Sequence, residues 1–289
     1  MLTSTDASIF EINPKKIVYP KDRNDLISVI RNILSDKKPF TMRAGGTSIG
    51  GQAIGSGVLV DISKHLNNII DFFEDKKEII VEPGVIQDDL NLFLQPYNLK
   101  FAPDTSTSNR AMIGGMIGNN SCGSYSIFYG TTRDHVKSIE VILSDGSLVE
   151  FKELTEKELD NKLSMQTLEG DIYRFVINLL NNNQQEILDA FPDESLIRRN
   201  TGYALDELIR KYKPFNKNGK CFNLASLICG SEGTLGVIVS ATLNLVNLPK
   251  HKELIVAHFS SDEQSLNLVR DLVKLNPSAV EYIDKPTLD

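Results

Sequence analysis

Apolar positions follow two rhythms along this chain. From Arg23 to Lys38 they fall at Leu26, Val29, Ile30, Ile33 and Leu34, which share one helical face, with Asp22 or Asn24 as the cap. Short β-rich runs flank that helix: "KIVYP" (16–20), "PFTMR" (39–43) and "GVLVDIS" (57–63). This predicts a β-α-β-loop-β unit. Further on, "KEIIVEPGV" (77–85) reads as a strand ending in a Pro-Gly turn, and "IQDDLNLFLQPYNL" as a helix. Two alternating runs around Asp145-Gly146 predict a hairpin over 136–151. "GDIYRFVINLLNNNQQEILDAF" and "ALDELIRKY" have helical spacing, and 223–249 reads as a helix, a glycine-rich turn and a long strand. From 250 a strand, helix, strand series is expected. The class is α+β.

Periodicity fails in three places, and each is rich in glycine. The first is "RAGGTSIGGQ" (43–52), between two strands. Glycines there cost folding free energy, so the backbone either turns where other residues are strained or lies close to something. Main-chain N–H groups in such a turn can converge on an anion, with Thr47 and Ser48 adding hydroxyls. The same residues also suit a turn with no ligand. No lysine completes a G-x-x-x-x-G-K-[ST] loop, and Gly50-Gly51 leads into a strand rather than a helix, so neither common nucleotide fingerprint applies.

The second is the stretch from Phe101 to Gly130, with hydroxyls, amides and Gly114-Gly115. A loop that long inside a domain is expected to be functional. Met112, Ile113, Met116 and Ile117 argue against a plain solvated loop. The third is "CGSEGTLGVI" (229–238), where Glu232 is the one charge. It suits either a ligand contact or a structural turn. Together the clusters point to one extended ligand with a charged middle and a polar, aromatic end.

Composition narrows the classes. With 289 residues, about two domains are expected. The net charge of −7, with both signs interspersed, argues against a nucleic-acid partner. Cys122, Cys221 and Cys229 are irregularly spaced and the four histidines are scattered, so neither a disulfide framework nor a metal site is read. The first sixteen residues lack a signal peptide's apolar run, and a cytoplasmic setting is expected by default.

The ordered motifs R-x-G-G-T-S-x-x-G-Q, P-D-x-S-T-S-N-R-A-x-I-G-G-M-I, Y-G-x-T-x-D-H-V and G-S-E-G-T-L-G resemble the FAD-binding domain of the vanillyl-alcohol oxidase or p-cresol methylhydroxylase type. Within it the chain is most similar to FAD-linked D-2-hydroxyacid dehydrogenases acting on D-lactate, glycolate or D-2-hydroxyglutarate. The resemblance implies two FAD-binding subdomains, 14–75 and 76–249, and the beginning of a substrate or cap domain at 250–289. It therefore implies a piece of a longer enzyme.

By motif, Arg43, Ala44, Gly45, Gly46, Thr47 and Ser48 would form the pyrophosphate loop, closed by Gln52. Pro103, Asp104, Thr107 and Ser108 would flank the cofactor. Gly114, Gly115, Asn119, Asn120 and Gly123 would run beside the flavin and ribityl chain. Val136 would lie near the adenine end, and Glu232, Gly236 and Val237 would complete the site. Thr47 and Ser48 stand where covalently flavinylated relatives carry a histidine, so FAD is expected to be held without a covalent bond; a thioether to Cys122 is the lesser alternative.

The implied reaction oxidises a 2-hydroxy acid to a 2-oxo acid, with electrons passing on to an acceptor that the sequence does not identify. An FAD-binding electron-transfer module and an NADPH-fed flavin reductase are the alternatives. No catalytic base is assigned: His135, Tyr125 and Tyr129 are read as structural.

Overall fold

The computed structural model describes residues 3–196, 199 and 202–288. β1 (Lys16–Val18), α1 (Arg23–Ser35), β2 (Phe40–Arg43) and β3 (Val58–Asp61) form the expected first unit. Its sheet is parallel, in the order β1-β3-β2. The α1 helix begins where Asp22 accepts the Asp25 N–H at 2.9 Å. Leu26, Ile27, Ile30 and Ile33 are buried against Val58, Val60 and Ile62. Each such aliphatic side chain contributes about 1.5–3 kcal/mol on burial.

The second unit opens with β4 (Ile69–Phe73) and β5 (Glu78–Val81). There follow α2 (Gln87–Leu94), β6 (Leu99–Lys100), α3 (Ile113–Asn119), α4 (Ser126–Tyr129) and a 3-10 turn over Thr132–His135. The hairpin is β7 (Val136–Ile142) and β8 (Leu148–Lys152). Helices α5 (Glu156–Ser164), α6 (Leu168–Ala190), α7 (Leu205–Lys211) and α8 (Ala225–Ile228) precede β9 (Val237–Asn244). The strands make an antiparallel sheet in the order β4-β5-β9-β7-β8. β4 lies before residue 75 yet pairs into this second sheet. A short strand β10 (Val246–Asn247) pairs with β6.

The larger core gathers Ile79, Val81, Ile139, Val141 and Leu243 with the helices. Tyr173 of α6 lies between Phe151, edge-on at a centroid distance of 6.1 Å, and Phe222, tilted at 6.3 Å. At the other end of the sheet, Ile142, Val237 and Val239 pack on α1 and the small sheet. Arg23 forks onto Glu140, and the Arg31 Nε donates to the Gly146 carbonyl at 2.9 Å. These contacts join the two units, and the three glycine clusters meet along the same seam.

The chain beyond 250 differs from expectation. α9 (Asp262–Leu272) forms, followed by a short helix α10 (Lys285–Leu288), but 252–259 and 279–284 are not strands. A strand needs a partner for its main-chain groups, and none pairs here. Leu254 and Ile255 are accordingly 87% and 86% exposed.

Candidate functional site

The glycine loop leaves β2 at Arg43. The Arg43 guanidinium reaches back to the Ala53 carbonyl at 3.1 Å, spanning the base of the loop. Gly46 turns with φ of 62°, and a Cβ there would lie 2.5 Å from that guanidinium. The consequence is a run of bare amides. Among the described residues, the main-chain N–H groups of Gly45, Gly46, Thr47 and Ser48 find no acceptor. All four residues are half-buried. Consecutive unpaired N–H groups that are partly withdrawn from water are costly unless an acceptor is supplied. Further along the loop, Gln52 accepts from the Ser48 hydroxyl and, at 3.2 Å, from the Gly50 N–H.

The second cluster holds more structure than its glycines suggest. α3 begins where the Ile113 N–H meets the Val85 carbonyl at 2.9 Å and the Gly114 N–H meets the Pro83 carbonyl at 2.7 Å. A Cβ on Gly114 would come within 2.6 Å of Pro83, so this glycine permits that approach. Ile113, Met116 and Ile117 anchor the buried side, while Gly115 and Asn119 stay exposed. Gln87 of α2, which sequence reasoning missed, is buried and holds the Pro103-Asp104-Thr105 stretch. Its Nε2 donates to the Pro103 carbonyl, and its Oε1 accepts from the Thr105 hydroxyl at 3.0 Å.

The third cluster lies on α3. The Gly230 N–H donates to the Ile117 carbonyl at 2.9 Å, and the Glu232 N–H to the Gly118 carbonyl at 2.8 Å. Glu232 is itself left-handed, at φ of 51°. Its Oε1 accepts from Gln52 at 3.0 Å and from Asn119 at 3.2 Å. One carboxylate oxygen thus joins all three clusters. Ala44 lies 3.4 Å from the position a Gly115 Cβ would take, and Gly45 packs on the Arg110 carbonyl.

Several other anticipated residues serve the framework. Asp104 accepts from the Ser124 hydroxyl at 3.2 Å and the Tyr125 N–H at 3.1 Å, across the space Gly123 leaves by lacking a Cβ. Asn120 is fully buried and accepts the Arg133 N–H at 2.8 Å. Val136 sits opposite Leu243 in the sheet, Gly236 faces Val141, and Val237 belongs to the core. Thr107 accepts main-chain N–H bonds from Arg110 and Ala111, and the Ser108 carbonyl accepts that of Asp88. His135 is buried, with Nε2 2.7 Å from the Tyr129 carbonyl.

A cleft of about 530 Å³ opens where the parallel strands end, lined by Tyr19 after β1, Arg43 to Gly45 after β2, and Asp61 and Ser63 at β3. Ligands of parallel sheets favour that edge, and the volume suits a nucleotide-sized group. Lys64 and Arg110 stand beside it and favour an anion.

Residues 14–152 match the family model described as "FAD binding domain". These residues resemble an FAD-binding domain. Bare amides on the first loop supply the donors a diphosphate needs, so the residues present fit the group. Over 289 aligned residues the chain is 35% identical to the D-2-hydroxyglutarate dehydrogenase of Escherichia coli (strain K12), covering 99% of this chain and 28% of that protein. It is 26% identical to "Glycolate oxidase subunit GlcD" of Bacillus subtilis (strain 168), covering 96% of this chain and 47% of the relative. Identity to the mitochondrial cytochrome-type D-lactate dehydrogenase 1 of Saccharomyces cerevisiae is 25%, over 95% of this chain and 37% of that one. The chain therefore spans little more than a quarter of the length of the D-2-hydroxyglutarate dehydrogenases it matches. A solved alkyldihydroxyacetonephosphate synthase superposes with a TM-score of 0.60 at 15% identity, over 91% of this chain and 38% of that one, which shows the shared fold.

Proposed function

We propose that this chain holds FAD without a covalent bond and supports oxidation of a 2-hydroxy acid to a 2-oxo acid. The row of unpaired N–H groups from Gly45 to Ser48 carries the first half of that reading. They would bind the diphosphate, with the Thr47 hydroxyl as a further donor. No histidine stands in that loop to form a covalent link. Asn119, Gln52 and Glu232 would present amide and carboxylate groups to the polar edge of the ligand. Gly115 would let it lie flat against α3.

The second half draws on the relatives, which are named for D-2-hydroxyglutarate, glycolate and D-lactate. FAD, when bound, accepts the hydride equivalent from the carbon bearing the hydroxyl. The chain's part is to bind, orient and exclude water. Anaerobic mixing of the FAD-loaded protein with D-2-hydroxyglutarate, D-lactate and glycolate tests the reading. Bleaching of the flavin's visible absorption by one of these acids and reoxidation by an artificial acceptor is expected. Bound FAD that none of the acids reduces would refute the oxidation and leave an electron-transfer module. Bleaching by NADPH alone would indicate a reductase.

A further inference from the structure

Lys100, the last residue of β6, is half-buried beneath two aromatic rings. Its Nζ lies 4.2 Å from the Tyr129 centroid and 5.2 Å from that of Tyr125. Among the described residues it has no ion pair and no hydrogen-bond acceptor. Burial pushes its pKa down, Lys252 nearby pushes in the same direction, and Asp104 opposes both. Asp104 offsets them only in part: it makes no ion pair with Lys100, and its oxygens accept from Ser124 and from the Tyr125 N–H. Neither phenol hydroxyl has a partner among the described residues. The Lys100 ammonium is thus flanked by two tyrosine ring faces, a second ammonium and one engaged carboxylate. A half-withdrawn ammonium with its donors unmet is costly, and an incoming anion relieves it through charge-assisted hydrogen bonds.

We propose that Lys100 and Lys252, with the phenols of Tyr125 and Tyr129, form a binding site for the carboxylate of a short organic acid. The choice of acid rests on the hydroxy-acid reading above. Lys100 neighbours Asp104, which packs on Gly123 in the segment expected to flank the flavin, so an anchored acid would sit beside the cofactor rather than in the diphosphate loop.

The test is calorimetric titration of the full chain with glutarate, an inert dicarboxylate, with and without FAD. Saturable binding that weakens with salt is expected. Lys100→Met should weaken it about tenfold or more, as loss of a charge-assisted contact does. The exposed Lys252→Met should weaken it severalfold without burdening the fold, and Lys100→Arg should retain most of the affinity. FAD affinity, followed by flavin fluorescence, should stay within about twofold throughout. Glutarate binding to both methionine variants as to the parent, or no saturable binding to the parent, would overturn the proposal. Lysine-dependent glutarate binding by a protein that takes up no FAD would uphold this site while removing the dinucleotide reading.

Discussion

Gly115→Ala separates the fold from the site, because the two should respond with opposite signs. Gly115 lies in the first turn of α3, is exposed, and does not need a left-handed backbone. An added Cβ meets the Ala44 Cβ at 3.4 Å, an ordinary contact, and nothing else within 4 Å. Replacing glycine by alanine in a helix removes unfolded-state freedom and stabilises by roughly 0.5–1 kcal/mol. For a chain of this size that raises the melting temperature of the FAD-free protein by about 1–4 °C. The methyl group would nevertheless occupy the surface along which FAD is expected to run. Overpacking of a close contact costs about 1–3 kcal/mol, a factor of about 5–150 in dissociation constant. Calorimetric melting of the FAD-free protein and fluorescence titration with FAD give the two numbers. A stabilised variant that binds FAD as tightly as the parent would show that the cofactor does not pass Gly115.

Other consequences follow from the same framework. Arg199 lies 2.5 Å from Asp206, which is fully buried, while Arg210 holds the same oxygen at 2.9 Å. Arg199→Ala should cost about 2–3 kcal/mol, below the usual penalty for a broken buried pair because Arg210 remains, and lower the melting temperature by about 5–10 °C; an unchanged melt would contradict it. For Asp134, burial raises the pKa, but the attraction of Lys211 and hydrogen bonds from Thr131 outweigh it and hold the carboxyl below its ordinary 3.8. A depressed carboxyl stabilises the fold above its unfolded pKa and loses that contribution as pH falls through the folded value. The stability gap between the parent and Asp134→Asn should therefore narrow as pH drops below about 3.8, and a gap that stays constant in acid would count against the ion pair. Burial pushes the Cys229 thiol up to about 12, so iodoacetamide should label it only after unfolding, whereas the half-buried Cys221 should react in the native protein; peptide mass spectrometry decides.

Much of this could be read in the chain because several signals coincide. The α1 helix has apolar spacing and a capping aspartate, and the hairpin has alternation and Asp145-Gly146. The glycine clusters stood out because they break those rhythms, and they do meet at Glu232. α3 was concealed by its own composition: glycines in Ile-Gly-Gly-Met-Ile-Gly-Asn argue against a helix, and tertiary burial overrides them. The i, i+3, i+4 spacing of Ile113, Met116 and Ile117 was the available clue. Asn120 and Asp104 have the chemistry of ligand contacts, yet burial in one case and Gly123's missing Cβ in the other turn their side chains to internal bonds. Such commitments depend on partners distant in sequence, which a single chain read in order does not disclose. The same holds for "KELIVAHF": its composition is strand-like, but no strand pairs with it here.

Titration of the purified, flavin-free protein with FAD, followed by acid precipitation, tests the central claim most directly. Saturable quenching of flavin fluorescence, with all the yellow colour released into the supernatant, is the predicted result. A folded protein that takes up no FAD, or colour that stays in the pellet, would contradict the assignment of the Gly45–Ser48 amides as a non-covalent diphosphate cradle.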